Sequence, residues 1–370
     1  MKKIIISGGG TGGHIFPALS IAGEIKRRYP DCEILFVGAE GRMEAERVPE
    51  AGYPIKLLPV QGLERGGGLL SKWRTMRQLL KSISAAQEFI RDFKPEAAVG
   101  VGGYASAPTL LAASKSGIPT LIQEQNSFAG KTNKLVGRHA DTVCVAYNGM
   151  QRFFPSAGKI VLTGNPTRTE LRDLTRKMPE AYDAFGLDAG KKTLLVLGGS
   201  LGAGSINLAV AGFVEKLGRE EEIQVIWQCG KGHHEEVTKT VDTALPDNVR
   251  LVPFISRMDY AYSIADLVVS RAGAGSISEL TNLGLPMILV PSPNVAEDHQ
   301  TKNARALESE GAAAMIQDSD AVRDLIPTAL KLIKDTDWLQ KTAEAARRMA
   351  LPKAAEMIVD ELELLVKKGS

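Results

Sequence analysis

The sequence predicts an α/β fold made of two doubly wound parallel-sheet domains that face each other. Short apolar runs alternate with amphipathic helical stretches along most of the 370 residues. Most of these runs are continuous rather than alternating, as in strands that helices cover on both faces. Two of them, 3–7 and 193–197, lead directly into glycine-rich turns. Strand–helix repetition of this kind implies right-handed crossovers and parallel sheets.

The strand candidates fall into two series. They are 3–7, 33–37, 55–59, 97–101, 119–123, 141–146 and 159–162 in the first half, and 193–197, 223–228, 249–252, 266–269, 287–290 and 312–316 in the second. Between the series, a proline at the end of Thr163-Gly164-Asn165-Pro166 blocks helix propagation. We therefore expect an N-terminal domain over 1–163, a second domain over 164–345, and a C-terminal helix within 346–370 that crosses back to the first domain.

Composition indicates a globular protein of the cytoplasm. The chain is 44% hydrophobic and 24% charged, which excludes disordered and fibrous classes. No apolar run approaches the roughly 18 residues that span a bilayer. The apolar start runs at once into glycines, so it indicates a first strand rather than a signal peptide. Cys32, Cys144 and Cys229 are odd in number and widely spaced, which favours reduced thiols over disulfides or a zinc site.

Charge is unevenly distributed. Residues 1–162 contain 21 Lys and Arg against 13 Asp and Glu, a net charge of +8, whereas the remainder contains 24 against 30, a net charge of −6. This asymmetry suits the first half to an anionic surface.

The segment 69–93 predicts a long helix with an apolar face flanked by cations. The apolar residues at helical spacing are Leu69, Trp73, Met76 and Leu80, and the cations are Lys72, Arg74, Arg77 and Lys81. Such a helix suits an anionic membrane interface. In the alternative, the apolar face packs on the sheet and the cations are solvated.

The first glycine turn, Gly8–Gly13, fits the pattern G-x-G-x-x-G, which nicotinamide enzymes, flavoproteins and nucleotide-sugar enzymes share. Glu40, after the second strand, keeps a dinucleotide enzyme open because such enzymes place an acid there for the ribose. His14 stands where the next helix begins, and a helix N-terminus keeps an imidazole neutral, as a general base requires. Alternatively, His14 only hydrogen-bonds the turn.

Two further turns point to a nucleotide site in the second domain. Gly198-Gly199-Ser200 lacks the lysine of a P-loop, and Ser200 adds a hydroxyl to a backbone cradle. Small residues follow the strand at 266–269, and we expect Ser276 or Ser278 to cap the next helix. Glu279, expected in the first turn of that helix, suits a ribose diol, and Gln300 suits sugar hydroxyls.

The acidic triplet Asp318-Ser319-Asp320 resembles a divalent-metal site. It stands directly before a helical stretch, where Asp and Ser are expected as caps. We interpret it as a cap and predict no metal site.

Together these segments resemble the MurG family of bacterial glycosyltransferases. The likeness runs from residue 4 to about 310, on motifs that include Gly8–Pro17, Gly102-Gly103-Tyr104, Glu124-Gln125-Asn126, Gly164-Asn165-Pro166 and Arg271–Ala274. It implies two Rossmann-like domains with a cleft between them, the GT-B arrangement. It also implies inverting transfer of N-acetylglucosamine from UDP-GlcNAc to the 4-hydroxyl of a lipid-linked N-acetylmuramoyl-pentapeptide, a step of peptidoglycan synthesis on which cell shape and division depend.

The resemblance also implies site residues. The candidate bases are His14 and, second, Glu124. The UDP-GlcNAc contacts would be Thr11, Gly12, Gly13, Asn126, Arg168, Ser200, Ile255, Ala274, Gly275, Ser276, Ile277, Ser278, Glu279 and Gln300. The acceptor pyrophosphate would lie at Gly9, Gly10, Gly103 and Tyr104.

These expectations define the partners. They are UDP-GlcNAc as substrate, a polyprenyl-diphosphate-linked acceptor and an anionic membrane on its cytoplasmic face, with no nucleic acid, cofactor or catalytic metal. Two alternatives stay open from the residues alone: an NAD-dependent oxidoreductase, and a non-catalytic nucleotide-sugar-binding protein of the membrane surface.

Overall fold

The computed structural model describes residues 1–60, 69–199, 202–241 and 245–369, of which 69–75, 169, 296 and 369 are described by their backbone alone. The chain divides into two compact units. Unit 1 comprises Met1–Arg168 and Leu351–Ser370, and unit 2 comprises Thr169–Ala350. These limits lie a few residues C-terminal of the predicted ones at 163 and 345.

Unit 1 contains a seven-stranded parallel sheet in the order β3-β2-β1-β4-β5-β6-β7. Its strands are β1 (Lys3–Ser7), β2 (Glu33–Ala39), β3 (Ile55–Leu58), β4 (Ala97–Gly100), β5 (Thr120–Glu124), β6 (Thr142–Val145) and β7 (Lys159–Leu162). Its first helices are α1 (Gly12–Arg28), α2 (Glu44–Glu50), α3 (Leu69–Phe93), α4 (Ser106–Lys115) and α5 (Lys131–Val136). Because β1 pairs with both β2 and β4, the strand order reverses beside β1, and ligands of doubly wound sheets bind at such a reversal.

Unit 2 contains a six-stranded parallel sheet in the order β10-β9-β8-β11-β12-β13. Its strands are β8 (Lys192–Leu197), β9 (Ile223–Gln228), β10 (Val249–Val252), β11 (Leu267–Ser270), β12 (Met287–Leu289) and β13 (Ala314–Met315). Its helices are α6 (Pro179–Phe185), α7 (Gly204–Gly212), α8 (Val214–Gly218), α9 (His234–Val241), α10 (Met258–Ile264), α11 (Ala274–Leu283), α12 (His299–Glu308), α13 (Ala321–Lys334) and α14 (Thr336–Arg348). Here the strand order reverses between β8 and β11.

Both sheets are buried on both faces, which explains their continuous apolar runs. In β1, the successive residues Ile4, Ile5 and Ile6 are fully buried, although neighbouring side chains of a strand point to opposite faces. The predicted fold class of two doubly wound parallel-sheet domains is confirmed.

The last helix, α15 (Ala354–Gly369), belongs to unit 1. Its buried residues Ile358, Val359 and Leu362 share a core cluster with Ile4 and Ile6 of β1. At the edge of this contact, Arg28 of α1 donates hydrogen bonds to Asp360, to Glu363 and to the carbonyl of Glu356. The end of the chain therefore returns to the first sheet.

Candidate active site

In unit 1, two glycine turns meet where the strand order reverses. One follows β1 and the other follows β4, and the two strands are hydrogen-bonded neighbours. Gly102 and Gly103 have φ values of 92° and 86°. A Cβ at Gly103 would stand 2.2 Å from the carbonyl oxygen of Gly9, and one at Gly102 would stand 2.9 Å from Nε2 of His14. Only glycine permits this approach, so the second turn shapes the surroundings of His14.

His14 is held in one tautomer by the first turn. Its Nδ1 lies 3.1 Å from the carbonyl oxygen of Gly9 and 3.4 Å from Oγ1 of Thr11. Because a carbonyl oxygen only accepts, Nδ1 carries a hydrogen, and in the neutral ring this leaves the lone pair on Nε2. The position of His14 in the first turn of α1 also disfavours the imidazolium. A neutral imidazole with a basic Nε2 is the state that a general base requires.

A carboxylate that the sequence did not predict occupies the first turn. Glu44, the first residue of α2, is buried and accepts hydrogen bonds from the N–H of Gly10 at 2.7 Å and of Ala39 at 3.0 Å. A Cβ at Gly9 would overlap the same carboxylate. The Gly10 N–H is therefore committed, and a negative charge lies where the acceptor pyrophosphate was placed. This geometry does not favour Gly9 and Gly10 as the site of that anion.

The same carboxylate argues against a dinucleotide enzyme. In such enzymes the pyrophosphate approaches this glycine turn, where Glu44 would repel it. Glu40, the expected ribose ligand, is exposed, and the acid that turns back to the glycines is Glu44 instead. The position of Glu44 soon after the second strand could have suggested it as a site residue. The direction of its side chain, however, depends on how α2 packs.

Glu124, the second candidate base, is enclosed by hydrogen-bond donors. It is buried, and its two oxygens accept from the backbone N–H groups of Asn126 and Gly130 and from the side chains of Asn126 and Asn133. Burial raises the pKa of Glu124, and these hydrogen bonds oppose the rise. A carboxylate enclosed in this way is poorly placed to take a proton from a substrate. The geometry favours His14 over Glu124 as the base, and the Glu124 carboxylate holds the backbone of Asn126 and Gly130.

The candidate residues of unit 1 form one connected group. The side-chain amide of Asn133, which binds Glu124, lies 3.7 Å from the Cβ position of Gly102, and Gly102 lies against His14. Tyr104 extends from the second turn, is 44% exposed, and has the guanidinium of Arg42 5.6 Å from its ring centroid.

Arg168, which was predicted to contact UDP-GlcNAc, lies against an aromatic ring. The guanidinium of Arg168 lies 5.6 Å from the ring centroid of Phe16, an exposed aromatic residue of α1 that sequence reasoning did not select. Phe16 also lies against Gly12, where a Cβ would stand 3.1 Å from its ring. Thr11 and Gly13 are exposed beside it.

In unit 2, the turns after β8 and β11 also lie at a reversal of strand order. Gly198 and Gly199 end the first of these turns as far as it is described, and Ser200 lies outside the described residues. The second turn ends at Gly273, the N-cap of α11. The helices α7 and α11 thus begin after neighbouring strands, and N-terminal helix ends at such a place favour an anion.

Helix α11 begins earlier than the sequence predicted. Because its first residue is Ala274, Ser276 and Ser278 lie inside it, so the expectation that either one caps the helix is wrong. Glu279 lies in the second turn rather than the first. It is buried and accepts a 2.9 Å hydrogen bond from the hydroxyl of Tyr262 in α10. Tyr262 was not predicted, because its partnership with Glu279 arises only from the packing of α10 on α11.

Asp318, the first residue of the acidic triplet, does not cap a helix. Asp318 accepts hydrogen bonds from Ser205 of α7 and from Arg271, which follows β11. Arg271 also donates to the carbonyls of Val290 and Pro291. The N-cap of α13 is Asp320, so the triplet occupies the capping position as expected, but Asp320 makes no side-chain capping bond there. Within the described ranges, no group of three or more His, Cys, Asp or Glu could hold a metal ion.

The remaining donor candidates lie around α12 and the end of β10. The carbonyl oxygen of the Gln300 side chain accepts from the N–H of Ser292 at 2.8 Å, which orients its amide. Ile255 is buried. Just before α12, Glu297 and Asp298 have φ values of 56° and 51°, a left-handed conformation that non-glycine residues seldom adopt.

On α3, the described part of the predicted membrane face is exposed. Met76 and Leu80 are 57% and 58% exposed, and Arg77 and Lys81 are exposed beside them. The alternative, in which the apolar face packs on the sheet, is therefore wrong for Met76 and Leu80. The side chains of Leu69, Lys72, Trp73 and Arg74 lie outside the described part of the chain. Among the described residues, no helix has the length and apolarity that crossing a membrane requires.

Comparison with known proteins gives matches over both halves of the chain. The glycosyltransferase family 28 N-terminal domain matches residues 4–145, and the glycosyltransferase family 28 C-terminal domain matches residues 193–358. The crystal structure of Acinetobacter baumannii MurG has a TM-score of 0.78 at 31% identity, covering 98% of this chain and 99% of that one.

Two relatives are similar to this chain over nearly its whole length. The UDP-N-acetylglucosamine–N-acetylmuramyl-(pentapeptide) pyrophosphoryl-undecaprenol N-acetylglucosamine transferase of Parabacteroides distasonis is 54% identical over 366 residues, 99% of each chain. The transferase of the same name from Porphyromonas gingivalis is 53% identical over 368 residues, 99% of this chain and 96% of its own. The chain therefore belongs to glycosyltransferase family 28, in the family of these N-acetylglucosamine transferases.

Proposed function

We propose that this enzyme transfers N-acetylglucosamine from UDP-GlcNAc to the 4-hydroxyl of a lipid-linked N-acetylmuramoyl-pentapeptide, with inversion at the anomeric carbon. The observation that carries the proposal is identity above 50%, over essentially the whole chain, to transferases named for this reaction. The activity belongs to peptidoglycan synthesis. The arrangement around His14 supports the chemistry, since inversion requires one base and a single displacement.

In the proposed reaction, Nε2 of His14 takes the proton of the acceptor hydroxyl. The resulting oxygen attacks the anomeric carbon as the bond to UDP breaks, and the electron pair of that bond leaves with the diphosphate. What supports His14 is its fixed tautomer, with Nδ1 bonded to the Gly9 carbonyl. Glu124 is proposed only to anchor Asn126.

Unit 2 is proposed to bind the UDP moiety. The helix N-termini that follow β8 and β11 supply backbone N–H groups, which stabilise the charge that develops on the leaving diphosphate. These backbone N–H groups would stabilise the charge of the leaving diphosphate as a bound metal ion can. We therefore propose that the reaction needs no metal ion. Glu279 is proposed to bind the ribose, with Tyr262 orienting its carboxylate.

Unit 1 is proposed to bind the acceptor at the membrane. Since Glu44 occupies Gly10, the acceptor pyrophosphate is assigned to the first turn of α1, at Gly12 and Gly13, together with Gly103 and Tyr104. The exposed Met76 and Leu80, beside Arg77 and Lys81, would place this unit on the anionic cytoplasmic face of the membrane as a peripheral protein.

The experiment is a transfer assay with the full chain, radiolabelled UDP-GlcNAc and a lipid-linked MurNAc-pentapeptide, with and without EDTA. We expect a labelled disaccharide lipid in both cases. UDP-GlcNAc binding without transfer would instead indicate the non-catalytic binding protein, and loss of transfer in EDTA would contradict the metal-free mechanism. Titration with NAD provides the matching control for the oxidoreductase, and we expect no binding.

A further inference from the structure

The peptide unit between Gly9 and Gly10 is hydrogen-bonded on both sides. Its N–H, which belongs to Gly10, donates to Oε2 of Glu44 at 2.7 Å. Its carbonyl, which belongs to Gly9, faces Nδ1 of His14 at 3.1 Å. A buried carboxylate, one peptide group and an imidazole therefore form a continuous chain of hydrogen bonds, and Glu44 is absent from the proposed reaction described so far.

The Gly9–Gly10 peptide plane can rotate unless a contact fixes it. Gly9 and Gly10 have φ values of 155° and 89°, and a peptide between two glycines rotates more easily than any other because neither neighbour has a Cβ. Rotation of the peptide plane would turn the Gly9 carbonyl away from His14. The imidazole would then lose the acceptor that selects its Nδ1–H tautomer.

The hydrogen bonds of Glu44 fix this peptide plane. Its side chain is buried and bridges two segments, since Oε1 accepts from Ala39 at the end of β2 while Oε2 accepts from Gly10 after β1. A buried carboxylate requires such donors, so it resists losing either one. Its charge also polarises the peptide group, which strengthens the hydrogen bond that the Gly9 carbonyl receives.

We propose that Glu44 is a positioning residue for His14: through the Gly9–Gly10 peptide it fixes the imidazole as the Nδ1–H tautomer and keeps Nε2 directed to the acceptor. The role corresponds to that of the carboxylate in a Ser-His-Asp triad, with a peptide group interposed between carboxylate and imidazole. This inference rests on the proposed role of His14 as the base.

The test combines imidazole nitrogen NMR with kinetics of the full chain. The protein contains five histidines, so ¹⁵N-histidine labelling gives a resolvable spectrum, and His14→Gln assigns the signals of His14. In the wild type we expect the Nδ1–H tautomer alone. In Glu44→Gln, where one amide oxygen replaces two acceptors, and in Glu44→Ala we expect a mixture of tautomers.

Kinetics should change in parallel with the spectrum. We expect both Glu44 variants to lower kcat about 10- to 100-fold, because a misplaced base loses alignment with its substrate. The KM for UDP-GlcNAc should stay within about twofold of the wild type, because the donor is assigned to unit 2. Glu46→Gln is the matched control: Glu46 is an exposed acid on the same helix, so the same change of charge there should alter neither readout.

The isosteric Glu44→Gln protects the test against misfolding, and an unchanged melting temperature verifies that it is folded. A pure Nδ1–H tautomer with normal kcat in that folded variant would overturn the inference. A normal kcat in His14→Ala would instead overturn the proposed base, while the NMR experiment would still report whether Glu44 orients the ring. The two failures are therefore distinguishable.

Discussion

Three buried carboxylates of this protein have contrasting tasks that their sequence positions do not reveal. Glu44 accepts two backbone N–H groups, Glu124 accepts two backbone and two side-chain N–H groups, and Glu279 accepts a tyrosine hydroxyl. Glu124 ends a strand and Glu279 lies in the helix after a glycine turn, so the sequence indicated both near a ligand, whereas it did not indicate Glu44. The partners of Glu44 and Glu279 depend on packing, and Asn133, one of the partners of Glu124, is likewise brought in by the fold, so the sequence alone could not rank Glu124 against His14 as the base.

His14 shows what local sequence predicts well. The expectation of a neutral ring follows from its place in the first turn of a helix, which the strand, glycine and helix pattern already predicts. Its tautomer follows from the Gly9 carbonyl, only five residues away in the chain. Tyr262 shows the opposite case, since it lies 17 residues from Glu279 on a different helix.

At the residue scale, His14→Ala tests the base. We expect kcat to fall about 10²- to 10⁴-fold, the usual contribution of general base catalysis, with the affinity for UDP-GlcNAc unchanged. Steady-state transfer kinetics and calorimetric titration with UDP-GlcNAc measure the two quantities. His139→Ala, an exposed histidine of the same unit, is the control. Near-normal turnover in His14→Ala would remove it as the base.

The elements themselves were well predicted, because each strand is a short apolar run that helices cover on both faces. The thirteen strands and the helix Leu69–Phe93 occur where the pattern placed them, within a few residues at their ends. Helix starts were predicted less well. Gly273 ends the turn before α11 earlier than the serines suggested, and the N-cap Asp320 of α13 makes no side-chain capping bond while Asp318 pairs with Arg271.

At the element scale, the exposed face of α3 predicts membrane binding. We expect the double variant Met76→Ser and Leu80→Ser to reduce binding to phosphatidylglycerol vesicles, because it removes apolar surface that would enter the interface. Stability should change by less than about 0.5 kcal/mol per substitution, since both side chains are more than half exposed.

Vesicle co-sedimentation and thermal unfolding measure these two effects. Leu208→Ser is the matched control, because Leu208 is 61% exposed but lies on α7 of unit 2. Equal binding by all three proteins would show that α3 presents an ordinary solvated face. Binding should also weaken as salt is raised, because Arg77 and Lys81 act through screened charge.

At the scale of the whole molecule, both units place glycine turns where the strand order reverses, but the groups around those turns differ. Each sheet reverses its strand order between the two strands that carry glycine turns, β1 with β4 and β8 with β11. In unit 1 a carboxylate of the protein occupies part of the first turn, whereas in unit 2 helix N-termini follow both strands. Glycine spacing alone predicts two equal anion sites, and the side chains around each turn make them unequal.

Hydrogen exchange of the full chain with and without UDP tests this division. We expect UDP to slow exchange at Gly198 and Gly199 and along the first two turns of α11, and to leave residues 8–14 unchanged, because the nucleotide is proposed to bind in unit 2. A ligand at 100 times its Kd stabilises the folded protein by about 2.7 kcal/mol, which is readily measured as protection. Glu279→Ala should weaken UDP binding about 10- to 100-fold, the effect of losing hydrogen bonds to a charged group. Glu180→Ala, an exposed acid of unit 2, should leave it unchanged. Protection centred on residues 8–14 would reverse the assignment and place the nucleotide in unit 1.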